Sequence, residues 1–506
     1  MTGGARTEVP ARAPREARLV EPTDRPRPLD SVRVRTALVL LPLFLLIFAQ
    51  PFKALTDPDY WWHVRTGQYI FQTGTVPMVD IYSYTMPGQP WVAEEWLSEL
   101  LFYVVSLHVG YVGNVVLFGA IGVLTGLVVY ATCRRRGVGE FGAALLMVWA
   151  SALAEPAFNV RPQVFTAFLL AVCVWLVTKY KQGEARALWP LPVIFALWVN
   201  LHGGFIIGLA LLGMTAVGEV VARGLRQPAA PLRPLLGVTG LSALASLLNP
   251  HGWNELLYPF SYLGPGNAIT RYIAEWQSPD FHQPPYLLFA ASLLALIALG
   301  VWRRPLGPTE AIWALGFAFL SLQSARHVAL FAAVVLPLLG ARLQTELPAL
   351  RRSLAAWQKP GLLVAICPLL LIVVASTTLA QATKTGLQTG WEPNPATFPV
   401  GAVAYLQSHD LPGRLFDQYD WGGYHIDQVY PRRTVFIDGR IDLYGDAVGK
   451  QYDTAINAGP GWRQVLDEYN VRIVLVDRTG PLSAALGDDP SWHRVYQGPV
   501  ADLFAR

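Results

Sequence analysis

Apolar runs of bilayer-spanning length recur from residue 36 to residue 380, and this repetition constrains the fold more than any motif does. A transmembrane helix needs roughly 20 mostly apolar residues, with about 17 as a lower limit. Each backbone N–H and C=O in a bilayer must find its partner within the segment, so such runs fold as helices. Eleven are expected, near 36–54, 111–132, 139–155, 164–179, 188–201, 203–222, 234–249, 285–302, 309–323, 327–342 and 361–380. Only 15% of the 506 residues are charged, against about 25% in soluble domains.

Charge placement orients the array. With the amino terminus in the cytoplasm, alternate connections carry Arg134, Arg135 and Arg136, then Lys179, Lys181 and Arg186, then Arg223, Arg226 and Arg233, then Arg303 and Arg304, then Arg342, Arg351, Arg352 and Lys359. The intervening connections hold nearly isolated cations. This is the positive-inside pattern of a multi-pass plasma or inner membrane protein, and it puts residues 381–506 outside the cytoplasm. The first 35 residues hold eight arginines and five acids and read as a disordered cytoplasmic tail. They supply most of the net charge of +4, which argues against a nucleic-acid surface. Cys133, Cys173 and Cys367 fall in or beside apolar runs, without metal-knuckle or disulfide spacing.

The expected architecture is an all-α polytopic membrane domain over 36–380, a linker over 381–398, and a soluble α/β domain over 399–506. Outer loops fall at 53–110 and 250–284. The first reads as a helix over 58–72, a turn-rich piece over 73–93, and an amphipathic helix over 94–108. Leu97, Leu100, Leu101, Val104 and Val105 make the membrane-facing side of that helix. Trp61, Trp62, Trp91 and Trp96 fit an interfacial aromatic belt. In the soluble domain, β-rich runs lie at 414–416, 434–437, 472–476 and 493–496.

The polar chemistry gathers at the outer ends. Asp57 and Asp59 flank Pro58 just past the first span, and His63 follows Asp59 by one helical turn. Two such carboxylates can share a divalent cation such as magnesium or manganese, or one can act as a base. Asp57 as a helix cap, with Pro58 in the first turn, is the structural alternative. Glu94 and Glu95 can open the following helix at its positive end, and Glu95 is also a candidate for chemistry. Arg161, His202, His251, Arg326 and His327 occupy the other outer ends, at a depth where ionisable groups are costly and usually functional. Donors beside a carboxylate loop suit a lipid phosphate. Glu275 stands beside Arg271, where a surface ion pair is an equal reading. No charge falls at mid-span, which counts against a pump or ion-coupled transporter.

The run Asp57-Pro58-Asp59-Tyr60-Trp61-Trp62-His63-Val64-Arg65-Thr66-Gly67, with Val76-Pro77-Met78-Val79-Asp80, Trp91 and Glu95-Trp96-Leu97, resembles a set of bacterial multi-span proteins. Arg161-Pro162-Gln163, Asn200-Leu201-His202-Gly203-Gly204, Asn249-Pro250-His251-Gly252 and Glu275-Trp276-Gln277 fit the same pattern. That set looks like a branch of the GT-C superfamily of lipid-linked-sugar glycosyltransferases. The resemblance implies acidic residues of the first outer loop at the reaction centre, here Asp57 and Asp59; Glu95 joins them as a catalytic candidate from its place in the same loop. The resemblance also implies a polyprenyl-phosphate or polyprenyl-diphosphate sugar as donor, and His63, Arg65, Arg161, His202, Arg326 and His327 would face its headgroup. It leaves open whether Asp57 and Asp59 hold a metal. The run Tyr419-Asp420-Trp421-Gly422-Gly423-Tyr424, followed by Asp438-Gly439-Arg440, is similar to the WWDYG region of oligosaccharyltransferases. It lacks the Trp-Trp-Asp run, and a second glycine replaces the tyrosine. By that likeness Asp420, Trp421, Tyr424, Asp438 and Arg440 would lie on the side of an extracytoplasmic glycan, lipid or protein acceptor. The leading expectation is sugar transfer with inversion. The alternative is a non-catalytic binder of lipid-linked glycans in envelope assembly or export. Convergence of Asp57, Asp59, Glu95, Arg161 and Arg326 on one pocket favours the first, because acid–base work requires hydrogen-bond reach.

Overall fold

A computed structural model describes residues 32–53, 55–263, 273–302, 306–349 and 393–506, with 352, 371–372 and 375–376 between them. Most of the expected tail, the run at 361–380, most of the 381–398 linker, Arg271, Arg303 and Arg304 lie outside the described residues. The other apolar runs are helices: α1 (Val32–Phe48), α3 (Trp96–Arg135), α4 (Glu140–Ala154), α5 (Gln163–Lys181), α6 (Leu191–Leu201), α7 (Phe205–Gly224), α8 (Leu232–Ala245), α9 (Pro284–Trp302), α10 (Pro308–Gln323) and α11 (Val328–Glu346). The loop helix α2 (Asp59–Thr73) lies between α1 and α3. Among the described residues, four helices are long and apolar enough to cross a membrane: Trp96–Arg135, Gln163–Lys181, Phe205–Gly224 and Ala325–Glu346. Helix α6, with 11 residues, and α8, with 14, are shorter than a full crossing.

Helix α3 is two helices joined at Gly110, whose φ of 72° and ψ of −165° suit glycine alone. Its first half is the expected loop helix, and its Leu and Val side is the more open one, as expected. Ser98, Glu99, Phe102 and Ser106 are buried, while Leu97, Leu100, Leu101, Val104 and Val105 are only half-buried. The polar stripe turns inward because each group finds a partner there. Ser98 Oγ donates to the Leu201 carbonyl at 2.6 Å, and Asn114 Nδ2 donates to Ser106 Oγ at 2.7 Å and to Tyr60 Oη at 3.1 Å. The expected aromatic belt is corrected. Trp61, Trp62 and Trp91 are buried, and the Trp96 indole donates to Asn200 at 2.8 Å.

At the opposite end of the bundle, Lys181 pairs with Glu219 at 2.6 Å and with Glu310 at 3.4 Å, and Arg136 reaches Glu310 at 3.9 Å. The connections expected to be cationic therefore meet at one end, and the Asp57–Arg161 side at the other.

The carboxy-terminal domain carries a four-stranded sheet of order β1-β2-β4-β3, with β1 (Arg414–Asp417), β2 (Val471–Asp477), β3 (His493–Gln497) and β4 (Ala501–Ala505). β1 runs parallel to β2, and the other pairs are antiparallel. Helices α12 (Val400–Ser408), α13 (Gly422–Val429), α14 (Ile441–Ile456), α15 (Trp462–Glu468) and α16 (Pro481–Gly487) complete it. Phe416, Val474, Val476 and Phe504 pack with Ile441, Tyr444 and Trp462 in the core. The run expected as a strand at 434–437 is not in this sheet. Val435 instead bridges to Ser83 of the first loop, its amide donating to the Tyr82 carbonyl at 3.0 Å. Val435 thus pairs with a segment some 350 residues away in sequence.

Candidate functional site

Helix α2 is held between the first half of α3 and the carboxy-terminal domain. On one face, Tyr60 bonds Ser106 at 2.9 Å. On the other, the Trp61 ring meets Tyr424 at 5.3 Å and Phe398 at 5.6 Å between centroids. The first loop is tied down by a buried node. Asp80 caps its own turn through the amides of Tyr82 (3.2 Å) and Ser83 (3.0 Å) and accepts from Arg440 at 3.0 Å. Arg440 also binds both oxygens of Asp438 at 2.8 and 2.7 Å and lies over the rings of Trp91 and Tyr82.

This clamp brings the Asp-Pro-Asp segment against two glycines of the domain. A Cβ at Gly423 would stand 2.3 Å from the Pro58 carbonyl oxygen, and one at Gly439 would stand 1.9 Å from Asp59 Oδ1. Backbone approach of this closeness requires glycine. The second glycine of the Trp421-Gly422-Gly423 run, a departure from the oligosaccharyltransferase pattern, thus has a local steric reason.

A cavity of about 650 Å³ opens at this junction. Its polar end is lined by Asp59, His63, Glu95, Arg161, His202 and Arg326, together with Glu275. Asp57 is beside it but outside the lining. The Asp57 carboxylate accepts the Asp59 amide at 3.0 Å, as a cap would, and binds Arg161 through both oxygens, at 2.8 Å to Nη2 and by a short contact to Nε. Arg161 reaches Asp59 at 3.0 Å and Glu275 at 3.4 Å as well. The two aspartates that would share a divalent cation therefore both turn their oxygens to one guanidinium. Among the described residues, no group of three or more His, Cys, Asp or Glu side chains is placed to hold a metal ion.

Asp59 keeps 20% of its side-chain surface open, against 12% for Asp57. Burial lifts its carboxyl to about 6; Arg161 pulls the other way, and Asp57 adds to the rise. The Trp62 indole donates to its Oδ1 at 3.2 Å. Arg326 meets one carboxylate, Glu275, at 3.4 Å, donates to His202 Nε2 at 2.9 Å and lies over the Trp276 ring. Burial, with the Arg326 charge beside it, holds His202 well below its usual range and so neutral. His63 is held neutral by burial and by Arg161. Burial pushes the Glu95 carboxyl well up, with Glu94 and Glu99 adding to it; it stands 3.6 Å from His63 Nε2 and 3.4 Å from His202 Nε2.

From this polar end an apolar groove continues between helices. Small residues of α3 (Gly122, Gly126) and α4 (Ala150, Ala154) line it, ending near Val129 and Met147. Seven residues from 147 to 154 rise about 10 Å along α4, so the groove reaches well into the helical bundle.

The site residues expected from sequence divide clearly. Asp59, Glu95, His63, Arg161, His202, Arg326, His327, Asp420 and Arg440 line the cavity. Arg65 does not: it donates to the Tyr430 carbonyl and to Gln68, both at 2.6 Å, and fastens the domain to α2. Trp421, Tyr424 and Asp438 are buried outside the lining. The Trp421 indole bonds the Thr397 carbonyl at 3.0 Å, Tyr424 packs on Trp61, and Asp438 serves Arg440. His251 also stays out of the cavity.

Two lining residues were missed or misread. Glu99 is fully buried and bonds His63 Nδ1 at 3.3 Å. The i, i+4 spacing of Glu95 and Glu99 was a usable signal. Glu275 bridges Arg161 and Arg326, where the sequence left a surface pair with Arg271 as an equal reading. It is brought in by the 324–327 turn, since Ser324 Oγ donates to the Glu275 carbonyl at 3.0 Å.

No family model and no curated protein sequence matches the chain. Solved structures do. The archaeal oligosaccharyltransferase AglB from Archaeoglobus fulgidus, in complex with an inhibitory peptide and a dolichol-phosphate, superposes with a TM-score of 0.57 over 88% of this chain and 69% of that one, at 13% identity. ArnT from Cupriavidus metallidurans bound to undecaprenyl phosphate gives 0.51 over 94% and 97%, at 15% identity. The arabinofuranosyltransferase AftD from Mycobacteria gives 0.53 over 94% and 40%, at 12% identity.

The chain shares its fold with these three membrane transferases.

The coarser part of the expected architecture holds: helices long and apolar enough to cross a membrane, followed by a small carboxy-terminal sheet domain.

Proposed function

We propose that this chain is a membrane glycosyltransferase that moves a sugar from a polyprenyl-phosphate-linked donor to an acceptor outside the cytoplasm, with inversion. One observation carries the reading: a single cavity joins a chamber holding Asp59 and Arg326 to an apolar groove between α3 and α4. An anionic headgroup with an isoprenoid tail needs both parts. The dolichol-phosphate and undecaprenyl phosphate in the AglB and ArnT structures support the same class of ligand. The positive-inside pattern supports an outer location for the site.

In this reading Asp59 is the base. It alone of the two aspartates lines the cavity, and a carboxyl at about 6 is largely ionised at neutral pH while still able to take a proton. An acceptor hydroxyl attacks the anomeric carbon as Asp59 takes its proton. The bond from that carbon to the phosphate oxygen breaks, and the electron pair leaves with the polyprenyl phosphate. Arg326, engaged by one carboxylate, offsets the charge growing on the departing group. Arg161, engaged by three, orients Asp59. Neutral His202 and Glu95 steady Arg326 from behind.

Convergence of the lining residues favours catalysis over passive binding. The test is turnover of polyprenyl-phosphate sugars by protein in nanodiscs. Asp59→Asn is expected to abolish transfer and leave lipid binding intact; turnover equal to wild type would remove Asp59 from the mechanism.

A further inference from the structure

We infer that the Arg161 guanidinium fills the seat a divalent cation would need at this site, so that the carboxylates are organised by a cation built into the chain. The inference deepens the glycosyl-transfer reading, but its evidence is the arrangement of charges. Asp57 and Asp59 come from the start of α2, Glu275 from the 273–276 turn, and Arg161 from the residue pair preceding α5. Three separated segments thus converge on one planar group. Nε and Nη2 engage Asp57, Nη2 also engages Asp59 Oδ2 at 3.0 Å, and Nη1 engages Glu275 at 3.4 Å.

A hard divalent cation requires oxygen ligands at about 2.0–2.6 Å, six or more for magnesium or calcium. The oxygens that would serve are in use. Asp57 Oδ1 accepts both the Asp59 amide and Arg161. Asp59 Oδ1 accepts the Trp62 indole, and its Oδ2 faces Arg161. Glu275 Oε1 stands 3.4 Å from both Arg161 and Arg326. An ion could reach these atoms only by displacing a guanidinium that keeps its proton at any physiological pH. A guanidinium also does what the ion would do first, which is to hold mutually repelling carboxylates in one place. It differs in fixing their orientation through a planar set of donors.

The geometry predicts that removing the side chain creates the metal site it replaces. Protein in nanodiscs is titrated with Mn²⁺ and free ion is followed by electron paramagnetic resonance, a readout that needs no turnover. Wild type is expected to bind no more Mn²⁺ than the Asp57→Asn/Asp59→Asn variant. Arg161→Ala is expected to gain one Mn²⁺ per chain, lost again when Glu275→Gln and Asp57→Asn are added. Arg161→Lys, which keeps the charge, is expected not to bind. Stoichiometric Mn²⁺ on wild type, removed by Asp59→Asn, would overturn the inference. So would a folded Arg161→Ala protein that takes up none. If Arg161→Ala fails to accumulate, the wild-type and Arg161→Lys titrations still decide. Because Mn²⁺ binding is measured without substrate, failure of the glycosyl-transfer reading would leave this result standing, and the reverse.

Discussion

Replacing Gly439 by alanine places a Cβ 1.9 Å from Asp59 Oδ1 and 3.3 Å from Trp62 Nε1. Ordinary contact begins near 3.4 Å, so the carboxylate or the 438–440 turn must give way by about 1.5 Å. The turn is the stiffer of the two. Asp438 and Arg440 on either side are buried, joined at 2.7 and 2.8 Å, and held to Asp80 at 3.0 Å. Asp59 therefore moves, and it loses its bonds to Trp62 and Arg161 together. A misplacement of about 1 Å costs on the order of 100-fold in rate, or about 2.7 kcal/mol in the barrier. The assay is single-turnover release of polyprenyl phosphate from a lipid-linked sugar in nanodiscs. Gly213→Ala on α7, where an added Cβ meets nothing within 4 Å, is the control. Gly439→Ala is expected to lower the chemical step by about 100-fold with substrate affinity nearly unchanged. A rate within about fivefold of wild type would refute the claim that the carboxy-terminal domain sets the position of Asp59.

Other outcomes follow from the same geometry. With Asp59 as base and its carboxyl at about 6, activity should fall as pH drops through 6 and protonates it; a pH profile of kcat/KM checks this. Arg326→Ala should lower turnover by about 10² to 10³, with partial recovery in Arg326→Lys, measured with the same donor. Ala210→Trp, placed at the groove wall, should raise KM for a long isoprenoid donor and leave a short-chain analogue unaffected. Arg440→Met leaves Asp80 and Asp438 buried without their cation and should destabilise the domain junction by about 3–5 kcal/mol, read as loss of thermal stability and protease release of the carboxy-terminal domain.

How much could be read from the sequence depended on the kind of signal. Helix positions were legible because apolar length and charge alternation are local properties, and Gly110 marked the break between loop helix and span. The convergence of Asp59, Arg161, His202 and Arg326 was legible because charge is scarce along this chain and its placement at one membrane boundary is costly. The facing of the helix at 96–109 was legible too, since its Leu and Val side is the more open one. The partners of its polar stripe were not: the buried Glu99 bond to His63 exists only in three dimensions. Motif membership also failed to separate cavity from core. Asp420 and Trp421 are adjacent in one motif, yet the first lines the cavity and the second packs beneath it. Arg65 lies six residues from Asp59 and points to the domain junction instead. The 434–437 run is no strand of the sheet, and no local pattern names the partner of Val435 at Ser83.

A structure of the protein in nanodiscs with a polyprenyl phosphate bound would weigh the account most directly. The phosphate is expected within hydrogen-bond reach of Arg326 beside Asp59, with the isoprenoid running past Gly122, Gly126 and Ala150 towards Met147. A headgroup at the Arg136–Lys181 end, or a tail lying outside the α3–α4 groove, would contradict it.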